Sequence, residues 1–75
     1  MGTGYYFYVT VQLNGEAREV PEGLTVEGLV AWMKLAPDRV AVERNLEIVS
    51  RAQWSATSIQ AGDRLEMVHF VGGGT

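Results

Sequence analysis

The residues able to do chemistry gather at the end of the chain, where Val68, His69, Phe70 and Val71 run into Gly72, Gly73, Gly74 and Thr75. Three glycines without Cβ atoms let the main chain extend and enter a channel too narrow for other residues. The group that such a tail delivers is its own terminal carboxylate, and four extended residues reach roughly 13 to 14 Å beyond the preceding strand. The alternative is an inert, frayed terminus, the ordinary state of a glycine-rich end. Other chemistries find fewer residues. His69 is the single histidine and cysteine is absent, which excludes a histidine metal cluster, a Cys–His nucleophile, thiolate ligands and disulfides. His69 is therefore expected to serve the structure. The nine carboxylates are scattered over turns, helix and loops, without the paired spacing of an acid and a base around a substrate. Gly72 to Gly74 form no phosphate cradle, because no helix follows whose N-terminus would meet the anion.

The composition bounds what can position this tail. A chain of 75 residues, 47% hydrophobic and 20% charged, reads as one small folded domain with no room for a deep cleft. A net charge of −3 offers no basic surface for phosphates, so nucleic acid is not an expected partner. No apolar run approaches the roughly 18 residues of a membrane span, and no basic segment precedes an apolar one at the N-terminus. A cytoplasmic protein with no membrane partner is expected.

Hydrophobic periods predict the scaffold. After a loose start over residues 1–4, Tyr5, Phe7, Val9, Val11 and Leu13 alternate with polar and tyrosine positions as one face of a strand. Asn14-Gly15 is a two-residue hairpin turn into a second strand, 16–20, broken by Pro21 and Gly23. Thr25 is placed as an N-cap, with Glu27 in the first turn. Val26, Leu29, Val30 and Met33 then form the apolar stripe of a helix that must stop before Pro37. Residues 39–43 and 47–50 read as a third and a short fourth strand about an Arg44-Asn45-Leu46 turn. Trp32 is expected to be partly buried, and Trp54 to plug one end of the core. Ala61-Gly62-Asp63 turns into a last strand, 64–71. There Leu65, Met67, His69 and Val71 share one face while Glu66, Val68 and Phe70 share the other. One helix covers one face of such a sheet. With Leu65 and Met67 inward, Val68 and Phe70 are left outside as an apolar docking patch beside the tail. The expected core is Val9, Val11, Leu13, Val26, Leu29, Val30, Met33, Val42, Ile48, Ile59, Leu65 and Met67.

This order of elements is that of the β-grasp or ubiquitin-like fold: α+β, a mixed sheet of four to five strands with one main helix on one face. The residues extend the resemblance. Val11-Gln12-Leu13-Asn14-Gly15-Glu16, the run from Val40 to Val49, and Gly62-Asp63-Arg64 continuing to Gly74 resemble the thiamine-biosynthesis sulfur carriers of the ThiS family, over Val9 through Gly74. The stretches Ala-Val-Glu-Arg-Asn and Val-His-Phe-Val-Gly-Gly-Gly are the specific part. The resemblance implies a non-enzymatic carrier, monomeric alone, that binds no cofactor itself. The carboxylate of Gly74 is adenylated by a ThiF-like E1 enzyme using ATP and Mg, then converted to a thiocarboxylate. A sulfur donor such as a cysteine desulfurase supplies the sulfur, and a ThiG-like thiazole synthase receives it. Without cysteine, such a carrier can hold sulfur only on a main-chain carboxyl.

Other readings stand beside this one: the small subunit of molybdopterin synthase, which also works through a diglycine thiocarboxylate, a ubiquitin-like modifier of lysines, and a β-grasp interaction module with an inert tail. Two departures from the family pattern bear on them. The start of the chain is longer and more aromatic than is usual, and Thr75 follows Gly74 where family members end at the glycine. The tail from Gly72 is expected to be mobile in the free protein, with backbone order parameters below those of the strands. One further residue moves the carboxylate by about 3.5 Å, and a misplacement of even ~1 Å can slow a reaction on the order of a hundredfold. The form ending at Gly74 should therefore drive E1-dependent release of pyrophosphate, and the form ending at Thr75 should not. Equal rates, with Thr75 retained in the product, would contradict this.

Overall fold

The structure, a computed structural model, describes residues 7–71. The expected loose start, Tyr5 and Tyr6 of the first strand, and Gly72 to Thr75 lie outside the described residues. In chain order the elements are β1 (Tyr8–Leu13), β2 (Glu16–Pro21), α1 (Val26–Trp32), β3 (Val40–Arg44), β4 (Glu47–Ile48) and β5 (Arg64–His69), with 3₁₀ turns at Pro37–Arg39 and Arg51–Ala56. The five strands form one sheet in the order β2-β1-β5-β3-β4. Only the central pair, β1 with β5, is parallel. With α1 on one face, this is the β-grasp arrangement.

Each element has a local cause. Asn14 and Gly15 take φ of 50° and 85°, the positive values of the hairpin turn whose twist matches its strands. The Thr25 side chain accepts a hydrogen bond from the Gly28 N–H at 3.1 Å, capping α1 as its sequence predicts. The helix ends earlier than the proline rule required. Lys34 turns to φ 61°, and the N–H groups of Lys34 and Leu35 donate to the carbonyls of Ala31 and Val30. This left-handed cap satisfies the last carbonyls two residues ahead of Ala36.

The core comprises Val11, Leu13, Val20, Val26, Leu29, Val30, Val40, Val42, Trp54, Ile59 and Leu65, with Val9, Trp32, Met33 and Met67 packed against it part-buried. Trp54 closes one end as expected. Its indole N–H donates to the Val49 carbonyl at 3.1 Å, and the Arg51 guanidinium lies 4.4 Å over its ring. Two expectations fail. Ile48 is 77% exposed, because the Asn45-Leu46 turn pairs it with Glu43 on the face away from α1. Phe7, expected within the first strand, precedes β1, which begins at Tyr8, and is 70% exposed. Leu29 is fully buried at the centre of the helix–sheet contact. Leu29→Ala should lower the unfolding free energy by about 2 to 5 kcal/mol through the cavity left behind. An unchanged midpoint in urea would remove it from the core.

Candidate functional site

The site is built on β5, whose start and end are pinned by side chains. At the start, the Asp63 carboxylate is buried, at 5% exposure. It accepts hydrogen bonds from Arg44 Nε at 2.7 Å, Asn45 Nδ2 at 3.1 Å and the Gln60 N–H at 2.8 Å. The Arg44 contact is the one ion pair among the described residues. Asn45 Oδ1 in turn accepts from the Arg64 N–H at 2.9 Å, so the β3–β4 turn fixes the first residue of β5. Farther along, the Asn14 carboxamide accepts from the Met67 N–H at 2.7 Å and donates to the Met67 carbonyl at 3.2 Å. It thereby continues the β1–β5 ladder after β1 itself has turned away.

With β5 so placed, its alternation is decided. Leu65 is buried and Met67 part-buried beneath α1, while Val68 and Phe70 are 57% and 54% exposed on the opposite face. Val68 faces Ala41 across the sheet, and Ile48 lies on the same face through its pairing with Glu43. Phe70 walls an open groove of about 220 Å³ that runs along β3 to Ile48, Arg51 and Trp54. The apolar surface therefore extends beyond the two residues that the alternation of the last strand identifies. Read about a three-residue turn, the sequence places Ile48 in the core; the two-residue Asn45-Leu46 turn that sets it opposite Glu43 is the signal that puts it here. His69 is exposed, and among the described residues its side chain makes no hydrogen bond or ion pair. The other depression, about 300 Å³ at Asn45, Leu46, Gly62 and Arg64, lies at the start of β5. Among the described residues no group of three or more acidic or histidine side chains could hold a metal, and no helix is long and apolar enough to cross a membrane. Gly72, Gly73 and Gly74 lie outside the described residues, beginning one residue past Val71.

The ThiS family pattern matches residues 11–74, from the middle of β1 to the last glycine. The chain belongs to the ThiS family, the sulfur carriers of thiamine biosynthesis. It is 37% identical to the sulfur carrier protein ThiS of Bacillus subtilis over 65 residues, 85% of this chain and 98% of that one. The crystal structure of the thiamine biosynthesis protein ThiS from Geobacter metallireducens superposes with a TM-score of 0.76 at 35% identity, covering 88% of this chain and all of the other. A thiazole synthase from Magnetococcus marinus is 47% identical over 64 residues, 85% of this chain. The ThiS-family chain spans about a fifth of that protein's length, 20%.

Asp63 carries a pH signature. Burial raises its pKa, but the hydrogen bonds from Arg44, the Gln60 N–H and Asn45, together with the Arg44 charge, outweigh burial and hold it below the ordinary aspartate value. A carboxylate with a depressed folded pKa stabilises the fold fully above its unfolded pKa of about 3.9. That stabilisation is lost as pH falls through the folded value. Asp63→Asn should cost about 1 to 3 kcal/mol at neutral pH by breaking the buried pair. In urea titrations at several pH values, the difference between wild type and variant should shrink below about pH 4. A difference constant down to acid pH would contradict the assignment.

Proposed function

We propose that this chain carries sulfur for thiazole formation as the substrate of other enzymes and not as a catalyst. The observation that carries the reading is the family match, which runs without interruption through β5 and ends on Gly74. In the form that ends at Gly74, after loss of Thr75, a carboxylate oxygen of Gly74 attacks the α-phosphate of ATP in the active site of a ThiF-like enzyme, releasing pyrophosphate and leaving an acyl-adenylate. The terminal sulfur of a donor's cysteine persulfide, such as that of a cysteine desulfurase, then displaces AMP, which departs with the former carboxylate oxygen, giving an acyl disulfide. A second thiol of the partner enzymes attacks the donor sulfur, ends in a disulfide with it, and releases the thiocarboxylate. ATP and Mg belong to the partner enzyme. Gly72 and Gly73 let the tail enter its channel, since they present no side chain to the walls. A ThiG-like synthase accepts the sulfur. Similarity to a stretch of proteins named thiazole synthase supports that partner. Location in the cytoplasm, where these partners and ATP meet, is part of the same reading.

Val68 and Phe70 are the proposed docking anchors, because exposed apolar side chains next to the reacting terminus can hold the chain while the glycines extend. Phe70→Ala should weaken binding to the ThiF-like enzyme by about 1 to 3 kcal/mol and change the unfolding free energy by about 0.5 kcal/mol or less. Incubation with that enzyme, ATP and a sulfide source should give, for the form ending at Gly74, the mass gain of sulfur replacing oxygen. No adenylation by any such enzyme would sink the carrier reading. A Phe70→Ala chain that unfolds while binding normally per folded molecule would move the patch elsewhere.

A further inference from the structure

The main chain of β5 has one edge that the sheet leaves open, and it lies directly before the tail. The carbonyls of Asp63 and Leu65 accept from the N–H groups of Gln12 and Asn14, and both main-chain groups of Met67 are taken by the Asn14 carboxamide. Odd-numbered residues of β5 therefore turn their polar groups toward β1. On the other edge, the Asn45 N–H donates to the Arg64 carbonyl and the Phe70 N–H to the Arg39 carbonyl, so even-numbered residues serve β3. His69 stands opposite Val40 in a row that makes no ladder bonds. Its N–H and C=O continue the β1 side, where β1 has ended at Leu13 and the Asn14 carboxamide reaches only Met67. Among the described residues nothing hydrogen-bonds to this edge. β5 ends at His69; a partner that continued its extended backbone would meet the Val71 N–H facing the same way about 6.6 to 6.8 Å farther on.

We infer that the open edge from His69 to Val71 is a strand-addition site, at which an extended main-chain segment of the adenylating partner pairs with β5. The occupant is specified by the groups on offer: a main-chain donor and acceptor from His69, then a donor from Val71, at the spacing of alternate residues in a strand. These are complementary to another strand and to no single side chain. Val68 and Phe70 flank His69 with exposed apolar side chains on the outer face of the sheet, so the pairing strand and the apolar patch hold the same segment from two directions. Such pairing aligns the tail, since a strand in register fixes the direction in which the next residues leave it. The inference rests on the carrier reading for the identity of the partner, and it adds a main-chain contact that side-chain anchors do not require.

Amide exchange separates the two. In the free full-length chain, the amides of Val68 and Phe70, bonded to β3, should exchange slowly and that of His69 fast. On binding a ThiF-like enzyme, His69 should slow by about tenfold or more. Replacing the Val68–His69 amide with an ester by chemical synthesis removes the outward N–H and only weakens the Val68 carbonyl that faces β3. It should leave the unfolding midpoint near that of the wild type and weaken binding about three- to tenfold. His69→Pro deletes the same donor genetically and is tolerated where a strand edge is free. Adenylation and tight binding with an unprotected His69 amide, or with an ester variant of wild-type affinity, would overturn the inference while leaving the carrier reading intact. Protection of His69 in a dimer of the free chain would assign the edge to a second copy and overturn it equally. Absence of any adenylation or binding by the form ending at Gly74 would sink the carrier reading and this inference with it.

Discussion

A single buried carboxylate sets the geometry on which the rest depends. Asp63 gathers Arg44, Asn45 and the Gln60 N–H, and in doing so joins the turn that precedes β5 to the turn that follows β3. A carboxylate left without those donors in the low-dielectric interior would be costly. The register of β5 is fixed because only one register satisfies it. Side chains alternate with period two, so a slip of one residue would expose Leu65 and drive Val68 and Phe70 under the helix. The outward patch and the outward main-chain edge are thus both consequences of where one aspartate finds its partners.

The two faces of the sheet are built for different ends. Under α1 the residues are apolar, closely buried and free of charge apart from the Asp63 cluster at the rim. On the outer face, Glu43 stands directly opposite Glu66, a like-charge pairing that weakens a sheet. Val68, Ile48 and Phe70 lie close by with more than half their surface in water. Neither feature helps the isolated chain to fold. In the proposed carrier role, this is the surface on which a partner enzyme would dock.

Much of the fold was legible in the sequence because local rules and the global arrangement agree. Asn14-Gly15 and Thr25 do what their chemistry dictates, and the alternation of β5 separates Leu65 and Met67 from Val68 and Phe70. The errors arise where tertiary register overrides local pattern. Ile48 has the character of a core residue, but its two-residue strand hangs from the Asn45-Leu46 turn and takes whichever face Glu43 takes. The helix does run the length of its apolar stripe, with Met33 as its C-cap, and it is Lys34, in a left-handed conformation that no propensity favours for lysine, that ends it short of Pro37. The work of Asn14 and Asp63 was hidden for a simpler reason: a side chain bonded to a residue far along the chain leaves no periodic trace. Val20 and Val40, buried at the ends of their strands, were likewise lost among breakers and charges.

The parallel pairing of β1 with β5 brings strands from near opposite ends of the chain together in the middle of the sheet. Without β5 the remaining strands are two disconnected hairpins, β1 with β2 and β3 with β4, and α1 has no continuous surface to cover. During synthesis the sheet cannot close until residues 64–69 have left the ribosome, and the long loop between the paired strands makes that closure slow relative to local folding. The segment that completes the structure is also the one that leads into the glycines. A ribosomal product cut short before β5 therefore lacks both the strand that joins the two hairpins and the outer face that this strand carries.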